Sequence, residues 1–563
     1  MASEQINSSK NEYSESGPQR RDGTPHAALG ASATPAPSGW FPLGYREGFS
    51  QWVGSSSQQQ NVYAFVARWA SLPAATTEHK VLSYLPYLQH QPPTHLQTGK
   101  TSTVPNGGSG SLQSADHTEE GDVTINSTND PYGPRRWRSS MVELSGKNRA
   151  LNEFSVERVG EEVDQHLVMV HGYGAGLGFF YKNFEPLSRL KGWQLHALDL
   201  LGMGRSTRPP FRIKAKEREE AIKEAEAWFV DALEEWRVKR KIDRFTLMGH
   251  SLGGYMAVAY ALKYPGRLNK LILASPVGIP EDPYAVKAEM PESSTVANEL
   301  TQNQRTIAES ASSVAPGEIQ KGDNNILLRG APPDSPDRPP RRLVPKWFAY
   351  LWDANISPFS LVRWAGPLGP RLVSGWTSRR FSHLPAGEAK ALHDYSYSIF
   401  SLRGSGEYAL SYILAPGAFA RSPLIRRIQG VGRQYMEQNP SPASTLLDST
   451  KAAAASEAAV PSSSSQSPSA KRENGLPVVF MYGDHDWMDV KGGIAAKAKL
   501  DEEKERALRN ATPEEREADN GSAKVVIIKN SGHHVYLDGW EEFNRVVLAE
   551  MEEVERKERA KRD

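Results

Sequence analysis

A serine between two glycines, in the segment Gly-His-Ser-Leu-Gly at 249–253, constrains the fold of this chain more than any other feature. The preceding residues 245–248 are apolar and short enough for a buried strand, and residues 254–264 carry apolar side chains at helical spacing. A strand that turns into a helix through such glycines exposes the serine hydroxyl at the turn. The segment therefore predicts Ser251 as a nucleophile.

A second glycine-rich segment predicts the groups that stabilise the oxyanion. Residues 167–170 form an apolar, strand-like run that leads into His-Gly-Tyr-Gly-Ala-Gly-Leu-Gly at 171–178. Acyl transfer passes through a tetrahedral oxyanion, which needs two preorganised N–H donors. The predicted donors are the backbone amides of Leu252 and Tyr173. An ordinary turn or a phosphate cradle is the alternative, although the chain has no G-x-x-x-x-G-K-[ST] motif.

An acid follows a further predicted strand at 476–482. A catalytic histidine needs a carboxylate to hold its tautomer and to stabilise the imidazolium. Three aspartates compete for this role. We favour Asp486, three residues after the glycine that ends the strand, with Asp489 as the second candidate and Asp484 as the third.

The general base is predicted on the loop after the last strand-like run, 525–528. His533 lies on this loop beyond a glycine, and it completes the chain order Ser, Asp, His. Its neighbour His534 is the alternative base. This order favours an active site at the carboxyl ends of parallel strands.

Together these segments predict an α/β class chain with the α/β-hydrolase fold. The expected architecture is a mostly parallel sheet with helices on both faces, a helical cap insertion and disordered insertions. No metal site and no cofactor is predicted. The residues predicted to support the site are His171, Gly172, Gly249, Gly253 and Asp538.

On these motifs the chain resembles a lipid-acting branch of the α/β-hydrolase superfamily. The branch includes a lipid-droplet lipase co-activator, an N-acyl-phospholipid hydrolase, and a fungal cardiolipin deacylase and lysophosphatidate acyltransferase. The matching segments are 171–178, 199–206, 229–236, 249–254, 263–267 and 532–538. Together they span roughly residues 138–280 and 475–550, about two fifths of the chain.

The resemblance implies an enzyme, because the co-activator has asparagine where this chain keeps Ser251. His533 and Asp538 form an H-x4-D pattern that the branch associates with acyl transfer onto lysophosphatidate, although His533 already has a role as the base. The resemblance leaves the acid open, since some relatives place it at the position of Asp489 and others only at that of Asp486.

Composition excludes several classes of function. A net charge of +1 gives no electrostatic basis for nucleic-acid binding. The absence of cysteine excludes a disulfide framework, thiolate zinc sites and a cysteine nucleophile, and it fits an intracellular compartment. No run of 18 apolar residues is present, so we expect any membrane contact to be peripheral.

The composition also predicts a division into segments. The aromatic-rich segment 38–91 is either a lipid-interaction segment or a strap packed on the core. The predicted segments are 1–37, a disordered N-terminus; 38–91; 92–134, a disordered insertion; 135–280, the first part of the hydrolase core; 281–438, a cap with loops; 439–474, a low-complexity linker; and 475–563, the second part of the core with a C-terminal helix.

The predicted function is a serine-dependent acyl-ester hydrolase or acyltransferase that acts on phospholipids or lysophospholipids. We expect an intracellular, peripheral membrane protein at the mitochondrion, at a lipid droplet or in the cytoplasm, with no nucleic-acid partner. The alternative is a membrane or lipid-droplet scaffold that regulates a partner lipase. Epoxide opening is disfavoured because those enzymes use an aspartate at the position of Ser251.

Overall fold

A nine-stranded sheet lies at the centre of the structure, a computed structural model that describes residues 73–88, 122–125, 130–281, 352–416, 418–436 and 472–562. Its strands are β1 (Asp122–Ile125), β2 (Arg135–Glu143), β3 (Ala150–Arg158), β4 (Gln165–Val170), β5 (Trp193–Leu198), β6 (Phe245–His250), β7 (Leu268–Ala274), β10 (Pro477–Gly483) and β11 (Ser522–Ile528). Two short strands, β8 (Leu414–Ala415) and β9 (Phe419–Ala420), form a separate ribbon.

The described helices flank this sheet or form the cap. Those in the core and its N-terminal strap are α1 (Ala74–Leu82), α2 (Tyr181–Leu187), α3 (Arg218–Lys239), α4 (Leu252–Lys263), α9 (Val490–Leu508), α10 (Pro513–Glu517), α11 (Val535–Asp538) and α12 (Trp540–Arg562). Those between β7 and β10 are α5 (Pro358–Trp364), α6 (Gly369–Arg380), α7 (Ala386–Ser401) and α8 (Leu410–Ile413).

The sheet is parallel over the strands that position the site. Its order is β1-β2-β3-β5-β4-β6-β7-β10-β11, and every pair from β5 to β11 is parallel, whereas β1, β2 and β3 join it antiparallel. Every residue of β6, β7 and β10 is buried, as expected for central parallel strands covered on both faces. This topology is the predicted α/β-hydrolase fold.

Two apolar cores lie against the sheet. One includes Leu247 of β6 together with Trp236 of α3 and Tyr255 of α4. The other includes Leu195 of β5 with Phe184 of α2. Because side chains alternate along a strand, neighbouring strand residues enter different cores, and the sheet needs helices on both faces.

The N-terminal strap is held by a buried charge. Glu78 on α1 is buried and pairs with Arg205 at 2.6 Å, and it accepts a hydrogen bond from the Tyr395 hydroxyl of α7 at 3.0 Å. Val81 and Leu82 are buried in the same region. Residues 73–88 therefore pack on the core as a strap, and the rest of the predicted aromatic segment lies outside the described residues.

One predicted boundary is corrected. Asp122–Ile125 lie inside the segment 92–134, which was predicted to be a disordered insertion, yet they pair antiparallel with β2 as the edge strand β1. The backbone hydrogen bonds of this pairing outweigh the polar composition of the segment. The predicted N-terminus at 1–37 and most of the linker at 439–474 lie outside the described residues.

Candidate active site

Ser251 occupies a strained turn between β6 and α4. Its backbone has φ 51° and ψ −115°, a region that residues with a side chain rarely adopt. Three backbone hydrogen bonds hold it there. Ser251 N donates to Ala274 O at 2.9 Å, and Ser251 O accepts from Val277 N at 3.2 Å and from Tyr255 N at 3.1 Å. The neighbouring strand β7 therefore fixes the turn, and the predicted elbow is present.

The glycines around the elbow are needed for close approach. A Cβ on Gly249 would lie 2.3 Å from the Gly253 oxygen, and one on Gly253 would lie 2.6 Å from the Val170 oxygen. A Cβ on Gly172 would lie 2.9 Å from the Ser251 Cβ. Real Cβ atoms do not tolerate such distances, so these positions let β4, β6 and the oxyanion loop (171–178) meet at the serine.

The two predicted oxyanion donors, the amides of Leu252 and Tyr173, have no hydrogen-bond partner among the described residues. Leu252 is the first residue of α4, where the helix itself offers no acceptor and where the helix dipole favours negative charge. Both amides are therefore available to bind an oxyanion.

His171 and Asp199 fix the oxyanion loop through hydrogen bonds to backbone groups. The His171 Nδ1–H donates to the Gly172 carbonyl at 2.7 Å, while its Nε2 accepts from Leu200 N at 3.1 Å. Asp199 accepts from Leu177 N at 2.7 Å. Burial lowers the pKa of His171 to about 4 against the raising effect of the Gly172 carbonyl, so this imidazole is neutral at pH 7.

The structure brings Asp486 and His533 together. The His533 Nδ1–H donates to Asp486 Oδ1 at 3.3 Å, and the Asp486 side chain is fully buried. Asp486 also accepts hydrogen bonds from the Ser275 hydroxyl and from Met488 N, the latter at 3.0 Å. These donors satisfy the buried carboxylate and fix its direction toward the histidine.

The competing aspartates have other partners. Asp489 is exposed and caps the N-terminus of α9, where it accepts from Lys491 N at 2.9 Å. Asp484 accepts from the amides of Asn530 and Ser531 at 3.0 Å each. Asp489 and Asp484 are therefore structural in this arrangement, and Asp486 alone of the three contacts His533.

Two further histidines surround His533. The His250 Nε2–H donates to the His533 carbonyl at 3.0 Å, which ties the predicted base-bearing loop (residues 529–534) to the elbow. His534, the alternative base, is buried and its Nδ1 lies 3.0 Å from the Tyr536 hydroxyl. Burial lowers the pKa of His250 and of His534 well below the usual value, so both rings stay neutral.

Asp538 holds the same loop. Its Oδ2 accepts from Gly532 N at 3.1 Å, and its Oδ1 lies 3.4 Å from His383 Nε2 in the cap. The Asp538 of the H-x4-D pattern therefore contacts the backbone just before His533 and also the cap.

The Ser251 hydroxyl itself has no hydrogen-bond partner among the described residues. Hydrogen bonds between a nucleophile and its base commonly tighten only when substrate is bound.

Sequence reasoning missed Ser275 and His250. Ser275 follows β7, the strand between the elbow strand β6 and the acid strand β10, so its position in the sheet was the available signal. His250 lies inside the elbow motif, yet its partner is a backbone carbonyl 283 residues away, which no local pattern reveals.

Comparison with known proteins gives the following similarities. Residues 165–329 match the family model described as alpha/beta hydrolase fold. A 1-acylglycerol-3-phosphate O-acyltransferase from Arabidopsis thaliana is 29% identical, over 74% of this chain and 72% of its own. The mouse protein named 1-acylglycerol-3-phosphate O-acyltransferase ABHD5 is 26% identical, over 74% and 84%. The human (Lyso)-N-acylphosphatidylethanolamine lipase is 27% identical, over 68% and 77%.

Proposed function

We propose that this chain, a member of the lipid-acting branch of the α/β-hydrolase superfamily, is a serine-dependent hydrolase or acyltransferase of phospholipid acyl esters. It acts either as a phospholipase A-type deacylase, for example on cardiolipin, or as a lysophosphatidate acyltransferase. The observation that carries the proposal is the 3.3 Å contact between His533 Nδ1 and Asp486, on loops at the same edge of the sheet as Ser251.

In the proposed reaction, Ser251 Oγ attacks the ester carbonyl while His533 Nε2 takes its proton. Asp486 keeps the proton of His533 on Nδ1 and stabilises the imidazolium. The amides of Leu252 and Tyr173 bind the oxyanion. Collapse expels the lysolipid alkoxide, which His533 protonates, and leaves an acyl-enzyme. Water or an acceptor hydroxyl then attacks the acyl-enzyme by the reverse steps, and Ser251 is regenerated.

The cap supports a lipid substrate. On α5, Phe359 stacks on Tyr173 of the oxyanion loop with ring centroids 4.8 Å apart. The same helix ends at Trp364, which is 70% exposed, and Leu368 in the next turn is 62% exposed. Exposed apolar groups of this kind suit a lipid surface. One short segment thus reaches both the proposed oxyanion site and the solvent, in keeping with peripheral attachment to a membrane or lipid droplet.

Within the described residues, no helix has the length and hydropathy needed to cross a bilayer. The relatives from Arabidopsis thaliana, mouse and human carry the names of enzymes that act on lipids, and these names support the same substrate class.

Membrane attachment is tested by flotation with phospholipid vesicles. Loss of flotation in Trp364→Ser is the expected result, and unchanged flotation contradicts the role of the cap surface.

The central test is ester hydrolysis by purified wild type and Ser251→Ala. Removing one member of a catalytic triad costs roughly three to six orders of magnitude in kcat. Asp486→Asn should cost roughly four orders through the wrong histidine tautomer. Asp489→Asn is the matched control and should keep near wild-type activity because Asp489 only caps α9. An equally active Ser251→Ala protein rejects the assignment.

The same variant separates enzyme from scaffold. If the chain regulates a partner lipase without chemistry of its own, cells that carry Ser251→Ala keep normal lipid levels whereas cells without the protein do not.

The balance between deacylation and acyl transfer is measured on one preparation, as free fatty acid release against acylation of added lysolipid, since both reactions share one acyl-enzyme. Subcellular fractionation with mitochondrial and lipid-droplet markers tests the location.

A further inference from the structure

A carboxylate from the N-terminal strap lies against the groups that hold the oxyanion loop. Glu78 on α1 is buried, and its Oε1 pairs with the Arg205 guanidinium at 2.6 Å. Asn152 Nδ2 donates to Glu78 Oε2 at 3.1 Å and to Asp199 Oδ2 at 2.8 Å. The backbone amide of Arg205 also donates to Asp199 Oδ2, at 2.7 Å. The carboxylates of Glu78 and Asp199 therefore share two partners, Asn152 and Arg205.

Asp199 contacts the oxyanion loop near both of its ends. Its Oδ1 accepts from Leu177 N at 2.7 Å near the end of the loop, and it lies 3.5 Å from His171 Nε2 at the start. The Tyr173 amide, one of the two proposed oxyanion donors, lies between these points in the chain. Because Glu78 and Asp199 share their partners, we expect a change at Glu78 to shift the carboxylate that fixes this loop.

Tyr395 of α7 gives Glu78 a second connection to the same loop. Its hydroxyl donates to Glu78 Oε2 at 3.0 Å and accepts from Gly178 N at 3.4 Å. The loop glycines pack directly on this side chain, since a Cβ on Gly178 would lie 2.9 Å from Tyr395 Cε1 and one on Gly176 would collide with the hydroxyl. Glu78 thus orients the hydroxyl that contacts the end of the loop.

Packing of the strap does not by itself require a carboxylate at position 78. Ala74, Val81 and Leu82 of the same helix are buried in an apolar core. Burial raises the pKa of Glu78 against the lowering effect of Arg205, so removing this carboxylate from water costs free energy. Apolar side chains of similar volume often stabilise a fold as well as a buried ion pair does. The carboxylate is therefore better explained by the groups that it orients.

We infer that Glu78 is a positioning residue of the proposed active site, which acts through Asp199 and Tyr395 on the oxyanion loop and hence on the Tyr173 amide. This inference rests on the proposed function. An oxyanion donor must be aligned before the charge develops, and loss of one such donor costs roughly 10²–10³ in kcat. The strap thereby contributes to catalysis without contacting the reacting atoms.

Thr77 provides the matched control on the same helix. It is buried like Glu78, and its Oγ1 lies 2.6 Å from the Ser398 hydroxyl, so it too connects the strap with α7. Ser398 also donates to the Tyr395 carbonyl at 2.7 Å, a hydrogen bond that Thr77→Val leaves in place. A purely structural strap predicts similar effects of Thr77→Val and Glu78→Gln, whereas positioning predicts a catalytic effect of Glu78→Gln alone.

The experiment measures kcat and KM on dihexanoylphosphatidate for the full-length wild type, Glu78→Gln, Glu78→Asp, Tyr395→Phe and Thr77→Val. In Glu78→Gln we expect kcat to fall about 30-fold and KM to change less than about twofold, because a misaligned loop amide weakens binding of the transition state. Glu78→Asp keeps the charge and should recover part of kcat, and Thr77→Val should keep all of it.

Tyr395→Phe tests the same inference with a change that keeps the ring and removes only the hydroxyl. We expect a smaller loss of kcat, about fivefold, since the connection through Asp199 remains. This variant decides the question if Glu78→Gln does not fold. Wild-type kcat in Glu78→Gln, wild-type kcat in Tyr395→Phe, or an equal loss in Thr77→Val overturns the inference.

Amide hydrogen exchange separates this inference from the proposed function. Peptides that cover residues 171–180 should exchange faster in Glu78→Gln than in the wild type or Thr77→Val. Faster exchange confined to residues 74–82 overturns the inference, because only strap packing is then affected. If Ser251→Ala is inactive but Glu78→Gln keeps wild-type kcat and exchange, the inference fails alone. If Ser251→Ala is fully active, the proposed chemistry fails, and faster exchange over residues 171–180 in Glu78→Gln still supports positioning of the loop.

Discussion

Two loops at the edge of the sheet are each held by an aspartate carboxylate that accepts a hydrogen bond from a backbone amide. The surroundings of the two carboxylates differ. Asp199 holds the oxyanion loop and is fully buried, with Leu177 N and Arg205 N each at 2.7 Å and Asn152 Nδ2 at 2.8 Å. Asp538 holds the loop of His533, and its side chain is 21% exposed and shared with His383 of the cap. Asp199 thus holds its loop through groups of the core, whereas Asp538 also links its loop to the cap.

Of the substitutions that test this comparison, Asp199→Ala should lower the stability of the protein the most. The substitution leaves the buried amides of Leu177 and Arg205 without an acceptor, and each orphaned donor costs about 1–3 kcal/mol. We expect the free energy of unfolding to fall by about 4 kcal/mol, measured by urea denaturation. Asp243→Ala is the control, since that side chain is 83% exposed, and it should change stability little. Equal stability of the two variants would contradict the role of Asp199.

The lowered pKa of His171, which lies in the same loop, predicts that the free energy of unfolding depends on pH. Its folded pKa of about 4 lies below the unfolded value of 6.5, so the unfolded chain binds more protons between these values. The contribution of the neutral His171 ring to the free energy of unfolding is fully present above pH 6.5. This contribution falls by on the order of 3 kcal/mol as the pH drops toward 4. His171→Gln should reduce the slope of the unfolding free energy against pH in this window, and the other buried histidines, such as His250 and His534, should keep the rest of the slope. The exposed His485→Gln is the control and should keep the slope.

Asp538→Ala should have a moderate effect on the base-bearing loop. Loss of the acceptor for Gly532 N should cost about 1–2 kcal/mol of stability and lower kcat/KM about tenfold through misplacement of His533. If Asp538 acts only as a tether, hydrolysis and acyl transfer fall by the same factor. A loss confined to acyl transfer would instead support the role that the H-x4-D resemblance implies.

The smallest effect is predicted for His383→Gln. His383 is 39% exposed, and its contact with Asp538 lies partly in solvent, so the stability change should stay below about 1 kcal/mol. Because the cap and the base-bearing loop meet through this pair, the double variant with Asp538→Ala should be no worse than Asp538→Ala alone. Additive losses in kcat/KM would show that the cap and the loop are not coupled here.

Local patterns were sufficient for the elbow and for the strand that precedes it. The apolar run at 245–248 followed by the glycine-flanked Ser251 predicts strand, turn and helix, and the structure has β6, a residue at φ 51° and α4. The same holds for the oxyanion loop after β4. These predictions succeed because burial of a parallel strand and close backbone approach impose their requirements within a few residues.

The choice between the two candidate aspartates needed the fold. Asp486 and Asp489 are three residues apart and chemically identical, and the sequence left them as alternatives. The structure turns Asp489 to the N-terminus of α9 and encloses Asp486 between Ser275, Met488 N and His533. The deciding contact is with Ser275, which arrives from another strand, so no pattern within the loop distinguishes the two aspartates.

The sequence by itself determined the fold class, the strand-turn-helix elbow at Ser251 and the chain order serine, aspartate, histidine, because these follow from short-range periodicity and glycine placement. Only the tertiary structure decided which aspartate meets the histidine and what Asp538 holds. Each of those depends on side chains distant in the chain, whose proximity is set by sheet order and by the packing of the cap.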